Sequence, residues 1–364
     1  MFLRIKNEFA KTLDLPLLCV VLVLFVVSLC ALFSSSQGDM TKVVTQAKHF
    51  VVALILMWAV AKIPLGYLNR LALPLYLLAM VLLLLTALVG DQAKGAQRWL
   101  DLQVIRIQPS ELMKIALPLV LAWYFDRYER VTNLKHYLIA AILLVVPVLL
   151  ILKQPDLGTS ILVLASGFFV LFFAGMSFRV LGFLVTLFVL VMPFAWGMLE
   201  PYQQTRILTL LDPASDPLGA GYHTIQSTIA IGSGGFWGKG WMEGTQSQLN
   251  FLPEGTTDFV FAVLGEEFGF IGVLFIFLAY LALVWRGLQI ATRAPNLFSR
   301  LAAVSITLTF FIYAFVNVGM VIGLLPIVGV PLPLISFGGS SAVTLLIGIG
   351  ILMNFRANRR LIQT

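Results

Sequence analysis

LPLLCVVLVLFVVSLCALF, residues 15–33, runs without a single charged side chain. An α-helix needs about 20 apolar residues to cross the hydrocarbon core of a bilayer, whereas a membrane β-strand alternates apolar and polar positions over about ten. The stretch is therefore read as a membrane-spanning helix. Arg4, Lys6 and Lys11 precede it, as in a secretory signal. The apolar run is too long for a signal core and lacks an A-x-A site, so it is expected to remain as a first span.

Apolar runs recur near 47–63, 71–90, 110–125, 137–152, 157–175, 180–199, 259–285, 301–325 and 337–355. The expected fold is an all-α polytopic membrane protein of about ten transmembrane helices, one integral membrane domain over 1–364. Composition agrees: 60% of residues are hydrophobic, 11% are charged, and the mean hydropathy is +0.97. A soluble domain carries about 25% charged residues. A soluble enzyme, a free-standing DNA-binding domain and a disordered chain are all excluded. A net charge of +7 would suggest nucleic acid in a soluble chain. Here it is read as the basic excess of cytoplasmic loops, with no nucleic-acid partner.

Only Lys153-Gln154-Pro155-Asp156 separates the fifth and sixth runs, so one broken span or two are both open on length alone. Charge decides between them. With ten spans, one side collects Arg4, Lys6, Lys11, Lys62, Arg70, Arg127, Arg130, Lys135, Arg179, Arg286, Arg293, Arg300, Arg356, Arg359 and Arg360, most of the 24 basic residues. Its acids are only Glu8, Asp14, Asp126 and Glu129. By the positive-inside rule both termini are expected to be cytoplasmic. Merging the two runs would put the later basic loops on the wrong face.

The polar residues gather on the other face. Residues 200–258 form a large extracytoplasmic loop between spans seven and eight, where Asp212-Pro213, Asp216-Pro217 and a series of glycines exclude one long helix. Loops longer than about 15 residues are usually functional. Asp258 closes this loop at the membrane edge, with Glu254 before it and Glu266 and Glu267 after it. Carboxylates at that depth are functional candidates. The alternative is that Thr256 caps the following helix and Asp258 merely complements its dipole. Glu111 and Lys114, at i and i+3 after Gln108-Pro109-Ser110, are read as an internal ion pair that also supplies a buried cation. In Gln154-Pro155-Asp156-Leu157-Gly158-Thr159-Ser160, a helix cap by Asp156 is the simpler reading.

Arg98, Arg106, Arg206 and Lys239 are basic residues able to hold phosphate. Gly232–Gly240 superficially resembles a phosphate loop, but Gly240 follows Lys239 where Ser or Thr is required. His49, His136 and His223 are scattered without metal-ligand spacing, so no metal site is expected, although the carboxylates leave room for a divalent cation. Pro326, Pro331, Pro333 and Gly338-Gly339-Ser340-Ser341 suggest a re-entrant or broken segment opening the last span.

Several separated strings resemble one family: QPSELMK (108–114), QPDLGTS (154–160), LLDPASDPLGAGYHTIQS (210–227), AIGSGGFWGKGWMEGTQSQL (230–249), FLPEGTTDF (251–259) and PLPLISFGGSS (331–341). They are similar to the SEDS proteins of shape, elongation, division and sporulation. KGAQRWLDL (94–102) and the GKGWMEGTQSQ stretch look more like the elongation member than the division member. The resemblance implies a peptidoglycan glycosyltransferase that polymerises lipid II on the outer face of the cytoplasmic membrane, with no certain cofactor. Implied partners are a class B penicillin-binding protein that cross-links the peptides, other elongation-complex membrane proteins, and membrane lipid.

The motif aspartate, here Asp258, is implied as catalytic. Arg98, Glu111, Lys114, Asp156, Arg206, His223, Gln226, Lys239 and Glu254 complete the expected substrate-binding set. The family usually has P-E-x-H-T-D-F, whereas Thr256 stands at the histidine position here, so an imidazole role there would be missing. A lipid II flippase and a non-catalytic scaffold are the competing functions.

Overall fold

A computed structural model describes residues 12–93, 96–101, 106–128, 134–197, 201–217 and 219–358. Arg4, Lys6, Glu8, Lys11, Glu129, Arg130, Arg359 and Arg360, on which the charge argument draws, lie outside the described residues. The helices are α1 (Leu15–Ser35), α2 (Met40–Ala61), α3 (Leu65–Val89), α4 (Pro109–Tyr128), α5 (Leu134–Lys153), α6 (Leu157–Phe173) and α7 (Phe178–Trp196). They continue as α8 (Pro201–Leu211), α9 (Ala220–Gly234), α10 (Thr245–Gln248), α11 (Val260–Thr292), α12 (Leu297–Val321) and α13 (Gly339–Ala357). Among the described residues, α1, α2, α3, α5, α11, α12 and α13 are long and apolar enough to cross a membrane. α6 and α7 are apolar but shorter. Helix α4 carries Glu111 in its first turn. A helix thus occupies each apolar stretch of the sequence. Outward-facing residues such as Val51, Leu77, Phe188 and Phe277 give the bundle the greasy exterior of an integral membrane protein.

Short polar side chains set where the helices begin. Asp14 caps α1 through Leu17 N (3.0 Å), Asp156 caps α6 through Thr159 N (3.1 Å), and Asn296 caps α12 through Ser299 N (2.9 Å). The fifth and sixth apolar runs are two packed helices: Tyr137, early in α5, donates to Gly175 O just beyond α6, so they run antiparallel. At one end of the bundle, buried Asp14 accepts from both Arg286 (2.8 Å) and Arg356 (2.9 Å), which ties the start of α1 to the ends of α11 and α13. The other end carries a three-stranded antiparallel sheet, β1 (Asp91–Ala93), β2 (Ala96–Asp101) and β3 (Arg106–Ile107). The helical reading of the sequence did not anticipate this sheet.

The span expected over 259–285 is broken. Within α11, Gly269 adopts φ 61°, ψ −158°, a region essentially restricted to glycine. The break frees backbone groups, and the loop after α9 takes them up. Lys239 N and Gly240 N donate to the carbonyls of Glu266 and Glu267 (both 3.0 Å), while Phe270 N and Ile271 N donate to Gly235 O (3.0 Å) and Phe236 O (3.3 Å). Side chains are excluded on both sides of this junction: a Cβ on Gly269 would collide with Gly238 N, and one on Gly238 with Glu267 O. Gly269→Ala is accordingly expected to lower the amount of folded protein severely, read as loss of the monodisperse detergent-solubilised peak. Ala at exposed Gly182, which has open space around it, should leave that peak unchanged.

Candidate active site

Asp258 stands one residue before the N-cap of α11. The helix proper starts at Val260 with Phe259 at the N-cap, so Thr256 is not the cap. Asp258 lies in the wall of a cavity of about 1360 Å³. Around the polar end of that cavity stand Glu254, Asp258, Asp156, Glu111, Arg98 and Arg106. From there it continues between α2 and α13 on one side and α3 and α4 on the other, past Leu71, Leu75, Leu78, Ile115, Leu119 and Ile347. α2 packs on α13 and α1, whereas α3 packs on α4 and α5, so these two sequence neighbours diverge and leave the apolar part of the cavity between them.

The polar end is built by local structure at each point. The β2–β3 pairing, with Asp101 opposite Arg106 and Leu100 opposite Ile107, brings Arg98, Trp99 and Arg106 to the cavity. Arg98 donates to Pro155 O (2.5 Å) and stands 3.7 Å from Asp156. Asp156 caps α6 and lines the cavity at once, since it also accepts from Gln108 (3.2 Å) and Thr159 Oγ1 (2.9 Å). Glu111 and Lys114 form the ion pair that their spacing predicts, at 2.5 Å and almost wholly buried. Lys114 also donates to the Tyr313 hydroxyl on α12 (3.0 Å). Glu111 and Tyr313 face the cavity, whereas Lys114 stands behind them and is not among the lining residues.

The other expected substrate contacts lie elsewhere. Arg206 on α8, and His223 and Gln226 on α9, are not among the lining residues. His223 stacks on Phe259 (centroids 5.6 Å apart, 14° between planes). Burial holds its imidazole below the ordinary histidine range, against an opposing pull from Glu254. Lys239 is also away from the cavity: its ammonium binds buried Glu266 (2.7 Å) and Thr245 (2.8 Å). The phosphate-loop likeness of 232–240 fails for the same physical reason, because the N–H groups of Lys239 and Gly240 already serve the carbonyls exposed by the α11 break. Residues that the sequence did not single out for the site, His49, Trp99, Tyr313, Ser340 and Ser341, do line it. Among the described residues no group of three or more His, Cys, Asp or Glu side chains is placed to hold a metal ion.

Residues 10–361 match the model of the FtsW/RodA/SpoVE family, described as cell cycle proteins. The chain belongs to this family. Peptidoglycan glycosyltransferase MrdB of Escherichia coli (strain K12) is 48% identical over 352 residues, covering 96% of this chain and 95% of that protein. MrdB of Helicobacter pylori (strain J99 / ATCC 700824) is 38% identical, covering 92% and 88%. Among solved structures, a chain from work on the coordination of polymerization and crosslinking by a peptidoglycan synthase complex superposes with a TM-score of 0.84 at 33% identity, covering 96% of this chain and 98% of that one. The crystal structure of the rod shape determining protein RodA of Thermus thermophilus gives 0.73 at 29% identity, covering 95% and 97%. The fold of this family member is thus the one its relatives share, and it is an integral membrane protein.

Proposed function

We propose that the cavity binds lipid II, a disaccharide-pentapeptide on undecaprenyl pyrophosphate, and that Asp258 is the general base of its polymerisation. The chain is a peptidoglycan glycosyltransferase, as its 48%-identical relative is. The observation that carries the finer reading is the continuity of one cavity, from Asp258 and the arginines at its polar end to the apolar walls of α3 and α13. A lipid-linked sugar needs both parts: an apolar groove for the isoprenoid and a polar end for the head group.

In the reaction, a sugar hydroxyl of one molecule attacks the anomeric carbon of the other. The new glycosidic C–O bond forms as the bond to the pyrophosphate oxygen breaks, and the hydroxyl proton passes to Asp258. Arg98 and Arg106 are the cations placed to stabilise the departing pyrophosphate. No nucleotide is needed, because the donor arrives with its leaving group attached. The similar chain in a peptidoglycan synthase complex supports a class B penicillin-binding protein as partner. Purified protein with that partner, given labelled lipid II, should make glycan polymer; lipid II transfer between leaflets without polymer would favour the flippase instead.

The same reading places ten spans in the bacterial cytoplasmic membrane, both termini inside, and Asp258 at the outer face. Reporter fusions within 200–258 and after Arg360 should report opposite sides of the membrane. A cytoplasmic signal from the 200–258 fusion would remove Asp258 from the face where the substrate head group is polymerised.

A further inference from the structure

Three consecutive carbonyls leading into α11 each accept a hydrogen bond from a distant part of the chain. Phe337 N donates to Thr256 O (3.0 Å), Ser336 Oγ to Thr257 O (2.6 Å) and Asn317 Nδ2 to Asp258 O (2.9 Å). The segment supplying two of these donors is itself fixed: Tyr280 donates to Pro333 O (2.5 Å), Ser28 to Ile335 O (2.7 Å) and Gln46 to Ser336 O (3.2 Å).

Asn317 has the most demanding place in this set. It is fully buried in α12, and its Nδ2 also donates to Val330 O at 2.7 Å. Both neighbours are carbonyl oxygens, so only the NH2 end of the amide fits between them. Its own Oδ1 is buried without a hydrogen-bond partner. A buried polar atom left unmatched is costly, so an amide is kept here for the two bonds that its NH2 end donates. The two acceptors share one feature. Val330 adjoins Gly329, where a Cβ would come within 3.5 Å of the Asp258 carboxylate, and both Gly329 and Val330 line the cavity. Asn317 therefore joins the peptide that bears the carboxylate to the loop segment that faces it.

We propose that Asn317 is a positioning residue for Asp258, holding the carboxylate at a fixed place in the cavity wall through these two hydrogen bonds. This rests on the reading of Asp258 as the base. Without the clamp the fold can persist on the bonds from Ser336 and Phe337, while the carboxylate gains freedom. Misplacement of a reacting group by about 1 Å can cost roughly 10²-fold.

The test compares Asn317→Ala, Asn317→Gln and Asp258→Asn, each purified with its partner, by kcat and KM for lipid II per amount of folded protein. Asn317→Ala is expected to lose roughly 10²-fold in kcat with little change in KM. Asn317→Gln, which retains the NH2 one methylene further out, should recover part of that loss; it also decides the matter if the Ala variant does not accumulate. An unchanged kcat in the folded Asn317 variants, beside an inactive Asp258→Asn, overturns the positioning role alone. Full polymerisation by Asp258→Asn overturns the base and the positioning role together.

Discussion

Asp258→Asn protein is expected to insert and fold at normal abundance and to lose glycan polymerisation by roughly 10²–10⁴-fold, the usual contribution of a positioned base. Asparagine keeps the shape of the side chain and the backbone carbonyl that Asn317 holds, but its amide does not take up the hydroxyl proton. The alternative from local sequence, a carboxylate that only serves the start of a helix, predicts a different result, since Asn and Asp are close in N-cap preference. The geometry also weakens that alternative, because Phe259 occupies the N-cap and Asp258 precedes it. Polymerisation assays on the purified variant, with partner binding as the control for folding, separate the two. Near-normal polymer from well-folded Asp258→Asn would sink the assignment.

What could be read from sequence follows from the range of each interaction. Apolar blocks and i, i+3 spacing are local, so the helices and the Glu111–Lys114 pair were legible before any tertiary structure. The role of Lys239 was not. Its partner Glu266 lies on another element, and a lysine among glycines reads equally well as an anion site. The break at Gly269 was hidden for a related reason: glycine is frequent in membrane helices, and only the carbonyls taken up by the 235–240 loop reveal that this one interrupts the ladder. Tyr313 and Asn317 were concealed inside an apolar block. They sit one turn apart on α12, both buried, Tyr313 accepting from Lys114 and Asn317 donating to the Asp258 carbonyl. A polar pair at i, i+4 in a membrane helix was the signal available for them.

Lys114→Ala is expected to have the second large effect, on folding as well as on catalysis. Lys114 and Glu111 are both nearly inaccessible, and removing one member of a buried pair leaves the other charge uncompensated at about 3–5 kcal/mol. Tyr313 loses its hydrogen bond from the same ammonium. Because Glu111 and Tyr313 face the cavity and Lys114 does not, the lysine would act on substrate through them. Paired substitution distinguishes these effects. Glu111→Gln with Lys114→Met removes both charges and should restore much of the thermal stability that Lys114→Ala loses, because neither side is left with an unpaired ion. If the double variant regains stability but not polymerisation, the charged pair and its hydrogen bond to Tyr313 are needed for catalysis and not for the fold alone. If it regains both, the pair serves the fold alone, and Glu111 and Lys114 leave the substrate-binding set.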